Sequence, residues 1–273
     1  MRLEPLPSRL GLGTSRIGSF NNPASLRDSE RLVREALDLG IAVLDTASIY
    51  GQGDSERAIG RAIAGRRRDA FVVTKGPRSF SARYRALQPL KPVIRPLLTW
   101  LGKGKAVAAA RRDDALAVDW SGASLSASLE ASLKRLGTEY VDAFLLHSPP
   151  AAIAGDPRIG EALLSLRQRG LMRRIGMSCE DRAGLEAALT QPVLDMVQLP
   201  WSVIATLGPL EPLLRQRGIL VLAREVIVQQ PGVAPDEALR NALSHPAVDC
   251  TLLGTTSREH LRSAAAQVAE AKT

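Results

Sequence analysis

Short apolar runs alternate along the chain with stretches whose apolar residues recur at helical spacing. Buried parallel strands read as continuous apolar runs, and helices that pack on them carry one apolar face. The clearest runs are 41–44, 71–74 and 141–146, and the clearest helical stripe is Leu125, Leu129, Leu133 and Leu136. The pattern therefore predicts repeated β/α units.

Five further runs bring the predicted number of strands to about eight. They lie at 10–14, 173–177, 196–199, 219–223 and 248–253, with helices predicted between them at 159–169, 182–189, 210–217 and 236–243. Ser25 and Asp28 have the spacing of a capping box, and Asp54 or Ser55 is expected to cap the second helix. Strict alternation predicts an α/β fold, a (β/α)8 TIM barrel that forms a single domain over residues 1–273.

One connection breaks this rhythm, because residues 76–121 separate a strand from the next helix by more than forty residues. Most such connections span only a few residues. This basic insertion carries nine basic and no acidic residues between Gly76 and Arg112, so the formal net charge of +8 belongs to it. It is expected to be a flexible surface segment or a lid over the site, and contact with a membrane surface is a third interpretation.

Composition narrows the class of protein further. The 273 residues are 45% hydrophobic, enough for one large core. No apolar stretch reaches the length of about 20 residues that crosses a bilayer, and the start has no signal-peptide pattern, so a cytoplasmic location is expected. The two cysteines and three histidines lack zinc-site spacing, so no metal is expected. Because the positive charge is confined to one segment, no nucleic-acid partner is expected either.

Four polar residues, Asp45, Tyr50, Lys75 and His147, lie at or just past the carboxyl ends of predicted strands. In a parallel barrel, one face collects all such positions. An acid, a phenol, an amine and an imidazole gathered there predict a site for proton transfer.

Several segments that hold these residues resemble the aldo-keto reductases. They are residues 10–14, residues 40–51 with Ser55, Glu56 and Gly60, residues 132–137 leading into His147, residues 174–178, Gln198, and residues 254–255. The resemblance covers most of the chain except the basic insertion and the last dozen residues, and its most specific part is the stretch from Asp45 to Gly51 with Glu56.

The resemblance implies NAD(P)H-dependent reduction of an aldehyde or ketone to an alcohol. Tyr50 would donate the proton, Lys75 and Asp45 would tune Tyr50, and His147 would orient the carbonyl oxygen of a small-molecule substrate. A phenol has a pKa of about 10, and a neighbouring ammonium favours the phenolate. Lys75 is therefore expected to lower the pKa of Tyr50.

The resemblance also implies a cofactor site that includes Gly13, Thr14 and Asp45. Ser178 and Gln198 match the family's nicotinamide carboxamide binders, while Cys179 stands where the family usually has asparagine. Arg224 takes the place of an aromatic residue that stacks on the nicotinamide. Its guanidinium is expected to stack there or reach a phosphate, or else to form a surface pair with Glu225.

After the eighth predicted strand, Gly254, Thr255 and Thr256 lead into the last helix. Thr256 and Glu259 have capping-box spacing, and Arg258 or His260 is expected to contact the 2′-phosphate of the cofactor. The alternative is an ordinary capped helix that binds no phosphate. The expected cofactor is therefore NADPH, with NADH as the alternative.

The substrate pocket is expected to include Phe20, Trp120 and Trp201. Two rival classes of function stay open at this point. Lys75 could form a Schiff base in a barrel enzyme of another type, with the last helix binding a substrate phosphate. A nucleotide-binding regulatory barrel with little turnover is the other, since Cys179 departs from the family pattern.

Overall fold

Eight parallel strands close into a barrel in the computed structural model, which describes residues 4–18, 24–80 and 116–270. The barrel order is β1, β10, β9, β8, β7, β6, β3, β2 and back to β1. Its strands are β1 (Leu10–Gly13), β2 (Val43–Asp45), β3 (Phe71–Gly76), β6 (Val141–His147), β7 (Met172–Ser178), β8 (Met196–Pro200), β9 (Leu220–Arg224) and β10 (Cys250–Gly254). The predicted (β/α)8 architecture is confirmed.

Helices follow the strands and cover the outside of the barrel. They are α1 (Leu26–Asp38), α2 (Asp54–Ile63), α3 (Gly122–Leu136), α4 (Ala151–Ala154), α5 (Pro157–Gln168), α6 (Arg182–Ala188), α7 (Trp201–Ile204), α8 (Leu210–Arg217), α9 (Pro235–Ser244) and α10 (Arg258–Glu270). Short 3₁₀ turns occur at Tyr50–Gly53 and Arg67–Asp69. No helix in these described parts of the chain is both long and apolar enough to span a bilayer. The cytoplasmic location stays a prediction.

Helix ends show where the sequence rules succeed and where they fail. The capping box of Ser25 and Asp28 is confirmed. The predicted cap of α2 is wrong, because the helix begins at Asp54 after Gly53, whose φ is 88°. The Ser55 hydroxyl instead lies 2.6 Å from that of Thr14.

The start of α10 also differs by one residue from the prediction. The Ser257 hydroxyl accepts a hydrogen bond from the backbone N–H of His260 at 3.3 Å, so Ser257 rather than Thr256 caps this helix. The Thr255 hydroxyl accepts from the backbone N–H of Ser257 at 3.0 Å. The expected capping box of Thr256 and Glu259 is therefore wrong.

The core has two parts, as a closed barrel requires. Inward-facing side chains fill the barrel, and outward-facing ones pack against the helices. The interior set is Val43, Phe71, Val73, Ala143, Leu145, Met196, Leu220, Leu222, Cys250 and Leu252. The predicted stripe of α3 contributes Leu125, Leu129, Leu133 and Leu136 to the outer set.

The basic insertion is joined at its base. Strand β4 (Ser79–Phe80) pairs antiparallel with β5 (Leu116–Ala117), so the chain leaves and returns side by side. The interpretations of the insertion as a lid, a flexible segment or a membrane contact fall on residues 81–115, which lie outside the described residues. That residues 1–273 form a single domain also stays a prediction.

Candidate active site

Asp45 and Lys75 form a buried ion pair at the carboxyl ends of β2 and β3. The Lys75 Nζ lies 2.6 Å from Asp45 Oδ1 and donates a second hydrogen bond to the carbonyl oxygen of Thr46 at 3.0 Å. Burial lowers the pKa of Lys75, but the charge and hydrogen bond of Asp45, together with Tyr50, raise it more, so the pKa ends above its ordinary value. Lys75 is therefore an ammonium group at neutral pH.

Tyr50 and His147 complete the predicted group of four. The Lys75 Nζ lies 5.1 Å from the centroid of the Tyr50 ring, and the His147 ring meets that of Tyr50 edge-on at 5.9 Å. The turn that carries Tyr50 is held against the first loop, since a Cβ at Gly51 would lie 2.6 Å from the carbonyl oxygen of Ile17. The structure thus brings together an acid, an ammonium, a phenol and an imidazole from three strand ends.

Lys75 lowers the pKa of Tyr50, as expected, but the phenol does not become more acidic than an ordinary tyrosine. Burial raises the pKa of Tyr50 above its ordinary value, and the charge of Lys75 opposes that rise without cancelling it. Desolvation disfavours the phenolate more than one neighbouring cation favours it. Tyr50 therefore holds its proton at neutral pH.

His147 is neutral at the same pH. Burial lowers its pKa well below the ordinary value, and the positive charges of Lys75, Arg78 and Arg224 lower it further. Its Nδ1 is buried and has no hydrogen-bond partner among the described residues. A buried nitrogen without a partner is costly, which is consistent with a ligand-binding position.

Ser178 and Gln198 lie side by side, as the proposed carboxamide site requires. The Ser178 hydroxyl donates to Gln198 Oε1 at 3.2 Å, and Gln198 Nε2 donates to Asp45 Oδ1 at 2.8 Å. Asp45 therefore accepts from both Lys75 and Gln198 and connects the proton-transfer group with the carboxamide pair.

Cys179, which stands where the family usually has asparagine, has a buried side chain. Its thiol is 1% exposed and packs in the outer core. Burial raises the pKa of Cys179 to about 12, so it stays an uncharged thiol. Its backbone carbonyl oxygen accepts a hydrogen bond from Arg224 Nη2 at 3.3 Å.

Arg224 forms the ion pair with Glu225 that was one of the predicted alternatives, but it also contacts Glu180. Its Nη2 lies 2.6 Å from Glu180 Oε2, and its Nη1 contacts Glu225 Oε1. The Arg224 side chain is only 16% exposed, and its Nε is buried without a partner among the described residues. Arg224 therefore belongs to the barrel mouth, which is the end of the barrel formed by the carboxyl ends of its strands. It is not a solvated surface residue.

The remaining cofactor candidates lie at the same end of the barrel. Gly13 pairs in register with both Asp45 and Gly254, and the Thr14 hydroxyl donates to the carbonyl oxygen of Asp45 at 2.7 Å. Thr255 is buried and Thr256 is exposed, both in the short connection before α10.

The cationic candidate at α10 is already paired. The Arg258 guanidinium contacts a carboxylate oxygen of Glu35 on α1, and Arg262 Nε lies 2.6 Å from the other oxygen. His260, by contrast, is exposed. Of the two residues expected at the 2′-phosphate, His260 is therefore less committed within the protein.

Two of the three predicted pocket aromatics, Trp120 and Trp201, are partly buried against the outer core. Trp120 packs against the outer core, and the Trp201 ring meets that of His245 edge-on at 5.7 Å. Phe20 lies outside the described residues. Their role as pocket walls stays a prediction.

Sequence reasoning missed Arg78 and Ser148. Arg78 Nε donates to the carbonyl oxygen of His147 at 2.8 Å, and its Nη2 donates to that of Ser148 at 3.2 Å. Both residues come within three positions of a candidate catalytic residue, and that proximity was the available signal.

Residues with a strained backbone also lie next to the candidate site residues. Among the described residues, three that are not glycine have positive φ: Gln52 at 60°, Ser148 at 53° and Glu225 at 60°. Each follows a candidate site residue within two positions. Such strain concentrates at functional sites.

Two other features lie apart from this group. Within the described parts of the chain, no cluster of three or more acidic, histidine or cysteine side chains could hold a metal ion. A groove of about 620 Å³ lies elsewhere, between the end of α2 and the end of α3, and includes Arg61 and Tyr140 among its lining residues.

Comparison with known proteins identifies the family. The sequence model described as "Aldo/keto reductase family" matches residues 9–230. This chain belongs to that family. The resemblance read from the sequence is thus confirmed.

Two curated relatives show how the aldo/keto reductase match is distributed. The "NADH-specific methylglyoxal reductase" of Escherichia coli (strain K12) is 30% identical over 223 residues, which cover 78% of this chain and 62% of that protein. "Aldo-keto reductase YhdN" of Bacillus subtilis (strain 168) is 28% identical over 199 residues, which cover 72% of this chain and 50% of that protein. The chain therefore matches less than two thirds of the length of either relative.

Solved aldo-keto reductase structures share the fold. A holo form from Bacillus halodurans has a TM-score of 0.75 at 22% identity and covers 98% of this chain and 91% of its own. A Klebsiella pneumoniae aldo-keto reductase in complex with NADPH has a TM-score of 0.68 at 23% identity and covers 96% of this chain and 85% of its own. At these identities the likeness concerns the fold.

Proposed function

We propose that this chain catalyses the NAD(P)H-dependent reduction of an aldehyde or ketone to an alcohol. The observation that carries the proposal is the meeting of Asp45, Tyr50, Lys75 and His147 at one end of the barrel. Hydride addition to a carbonyl carbon leaves an alkoxide, which needs a proton as it forms. A protonated phenol beside a fixed ammonium supplies that proton.

Each of the four residues has a distinct task in this reaction. Tyr50 gives its proton to the developing alkoxide, and the Lys75 ammonium stabilises the phenolate that remains. Asp45 holds Lys75 charged and in place at 2.6 Å. Neutral His147 donates a hydrogen bond to the carbonyl oxygen and so stabilises the charge that develops there.

The cofactor supplies the hydride when it is bound, and the residues at the rim fit it. Ser178 and Gln198 offer adjacent hydroxyl and amide groups to a carboxamide. Gly254, Thr255, Thr256 and His260 offer backbone and polar groups to a phosphate at the start of α10. We infer NADPH as the cofactor, with NADH as the alternative, which the name of the Escherichia coli relative supports.

The structure favours this chemistry over the Schiff-base alternative. A Schiff base needs an uncharged, accessible amine. Lys75 is 0% exposed and its pKa is raised by Asp45 and Tyr50 after the opposing effect of burial, so its amine is protonated and enclosed.

The test is a panel of small aldehydes and ketones, beginning with methylglyoxal, assayed with NADPH and NADH. Tyr50→Phe should lower kcat by about 100-fold or more, since general-acid catalysis contributes on that order. Its dissociation constant for the cofactor, measured by fluorescence quenching, should change little. A Tyr50→Phe variant as active as the wild type would show that the roles assigned here are wrong.

Two other outcomes of the panel decide the alternatives. Cofactor binding without oxidation of the nicotinamide by any carbonyl compound would support the regulatory barrel. Equal affinities for NADPH and NADH would show that the phosphate contacts proposed at α10 are wrong.

A further inference from the structure

A corner of the barrel mouth next to His147 is built from two arginines, a serine and a glutamate. This rim corner consists of Arg78, Ser148, Glu180 and Arg224. Arg78 is fixed there by its hydrogen bonds to the carbonyl oxygens of His147 and Ser148 at 2.8 and 3.2 Å. The Ser48 hydroxyl donates in turn to the carbonyl oxygen of Arg78 at 2.8 Å.

Glu180 places a carboxylate in this corner. Its Oε2 accepts from Arg224 Nη2 at 2.6 Å, and its Oε1 accepts from the Ser148 hydroxyl. Burial raises the pKa of Glu180, but the Ser148 hydrogen bond and the charges of Arg224 and Arg78 lower it more, so the pKa ends below its ordinary value. The rim corner therefore binds a carboxylate in its ionised form.

The side chain of Glu180 is the exposed one in the rim corner. It is 58% exposed, whereas that of Arg224 is 16% exposed. When Glu180 moves into water, a second carboxylate can take over the hydrogen bonds from Arg224 and Ser148, so these donors are not left without a partner. Arg78, Arg224 and Ser148 stay in place through their contacts with the backbone and with Glu225.

The charges around the rim corner favour the binding of another anion in place of Glu180. Lys75 is balanced by Asp45, and Arg224 is paired with Glu225 as well as with Glu180. Arg78 forms no ion pair in the described parts of the chain, and its guanidinium donates to backbone carbonyl oxygens instead. Arg78 Nε donates to the carbonyl oxygen of His147, so this corner adjoins the residue proposed to orient the substrate carbonyl.

We propose that the substrate of this enzyme is an oxo acid, whose carboxylate displaces Glu180 and binds Arg224, the Ser148 hydroxyl and the charge of Arg78. This inference rests on the proposed carbonyl reduction. Charge-assisted hydrogen bonds from arginine to a carboxylate are short and strong, and they fix orientation. A neutral carbonyl compound of the same shape lacks them.

The test compares substrates of nearly the same shape, one with a charged carboxylate and the other with a neutral amide. The pairs are 4-formylbenzoate with 4-formylbenzamide, and 3-formylbenzoate with 3-formylbenzamide, each assayed with a saturating cofactor. For at least one pair, the carboxylate should have a kcat/KM about tenfold higher or more, mainly through KM, because hydrogen bonds from arginine to a carboxylate are charge-assisted.

Two variants give opposite signs. Arg78→Gln should raise KM for the carboxylate about tenfold and change KM for the amide much less, and Arg78→Lys, which keeps the charge, should recover part of the preference. Glu180→Gln should lower KM for the carboxylate several-fold, because it removes the competing anion. Glu161→Gln, which removes one exposed negative charge on α5, is the matched control and should leave the preference unchanged.

The failures of the two proposals can be told apart. Reduction of the amides at the same kcat/KM as the carboxylates overturns the oxo-acid assignment and leaves carbonyl reduction standing. An unchanged or higher KM for the carboxylate in Glu180→Gln also overturns it. If neither member of a pair nor any compound of the wider panel is reduced, the proposed function itself is wrong.

Discussion

At the scale of single residues, one carboxylate oxygen of Asp45 connects the proton-transfer group with the proposed carboxamide site. This oxygen, Oδ1, accepts hydrogen bonds from Lys75 at 2.6 Å and from Gln198 at 2.8 Å. Low polarity around the pair strengthens both contacts and makes the loss of either costly.

His147 gives a pH-dependent prediction. Because burial and nearby cations lower its pKa in the folded protein, the unfolded chain binds a proton below a pH of about 6.5 that the folded protein does not. The free energy of unfolding should therefore fall as the pH is lowered from about 7.5 to 5.5, by up to about 1.4 kcal/mol per pH unit below 6.5 from this group.

His147→Asn should reduce that fall, and urea unfolding at several pH values measures it. His260→Asn, at an exposed histidine, is the matched control. If the wild type and His147→Asn lose stability in parallel as the pH falls, His147 does not have the assigned pKa shift.

The identities of the four central residues could be predicted from the sequence, because each follows a recognisable strand. The acidity of Tyr50 could not. Its pKa depends on how far the folded chain buries the phenol, and the residues that do so come from different loops. Arg78 and Ser148 were missed for the same reason, since their contacts join the ends of β3 and β6.

At the scale of elements, the packing of α2 against α3 sets the position of β3. Glu56 on α2 is 0% exposed, accepts from the Thr74 hydroxyl at 2.7 Å and pairs with Arg135 on α3 at 2.5 Å. Thr74 precedes Lys75 in β3. The two helices therefore hold the strand that carries the ammonium.

Gly60 permits this close approach, and its substitution is the next prediction. A Cβ there would lie 2.5 Å from the carbonyl oxygen of Leu136, so Gly60→Ala should lower the free energy of unfolding by about 1–3 kcal/mol. Gly155→Ala is the control, because its nearest neighbour is an ordinary 3.5 Å away. Urea unfolding that shows Gly60→Ala as stable as the wild type would contradict this account of the α2–α3 contact.

Strands and helices themselves follow local periodicity, so the sequence placed most of them within a few residues. The start of α2 was misjudged because Ser55 serves a tertiary contact. Its hydroxyl lies 2.6 Å from Thr14 and 2.8 Å from Thr46, both near other strand ends. A local capping rule does not include such distant partners.

At the scale of the whole molecule, β4 and β5 bring the two ends of the basic insertion together. Opposite residues in an antiparallel pair have Cα atoms about 5 Å apart. Ser79 faces Ala117 and Phe80 faces Leu116. Phe80 and Leu116 are therefore close enough to be joined by a few residues.

Deletion of residues 85–112 should consequently leave the barrel folded while changing substrate preference. The remaining residues are enough to connect β4 with β5. Far-UV circular dichroism and the thermal midpoint should stay near those of the intact chain, and the ratio of kcat/KM values across the carbonyl panel should shift. Loss of all soluble protein on this deletion would count against the lid interpretation.

The paired β4 and β5 also bear on how such a protein can diversify. A stretch of chain whose two ends are neighbours can be lengthened, shortened or exchanged by recombination without altering the path of the barrel around it. Because the junction follows directly on β3, each such exchange would present a new surface to the same chemistry. Grafting the corresponding stretch of a relative between Phe80 and Leu116 is thus a direct route to new specificity.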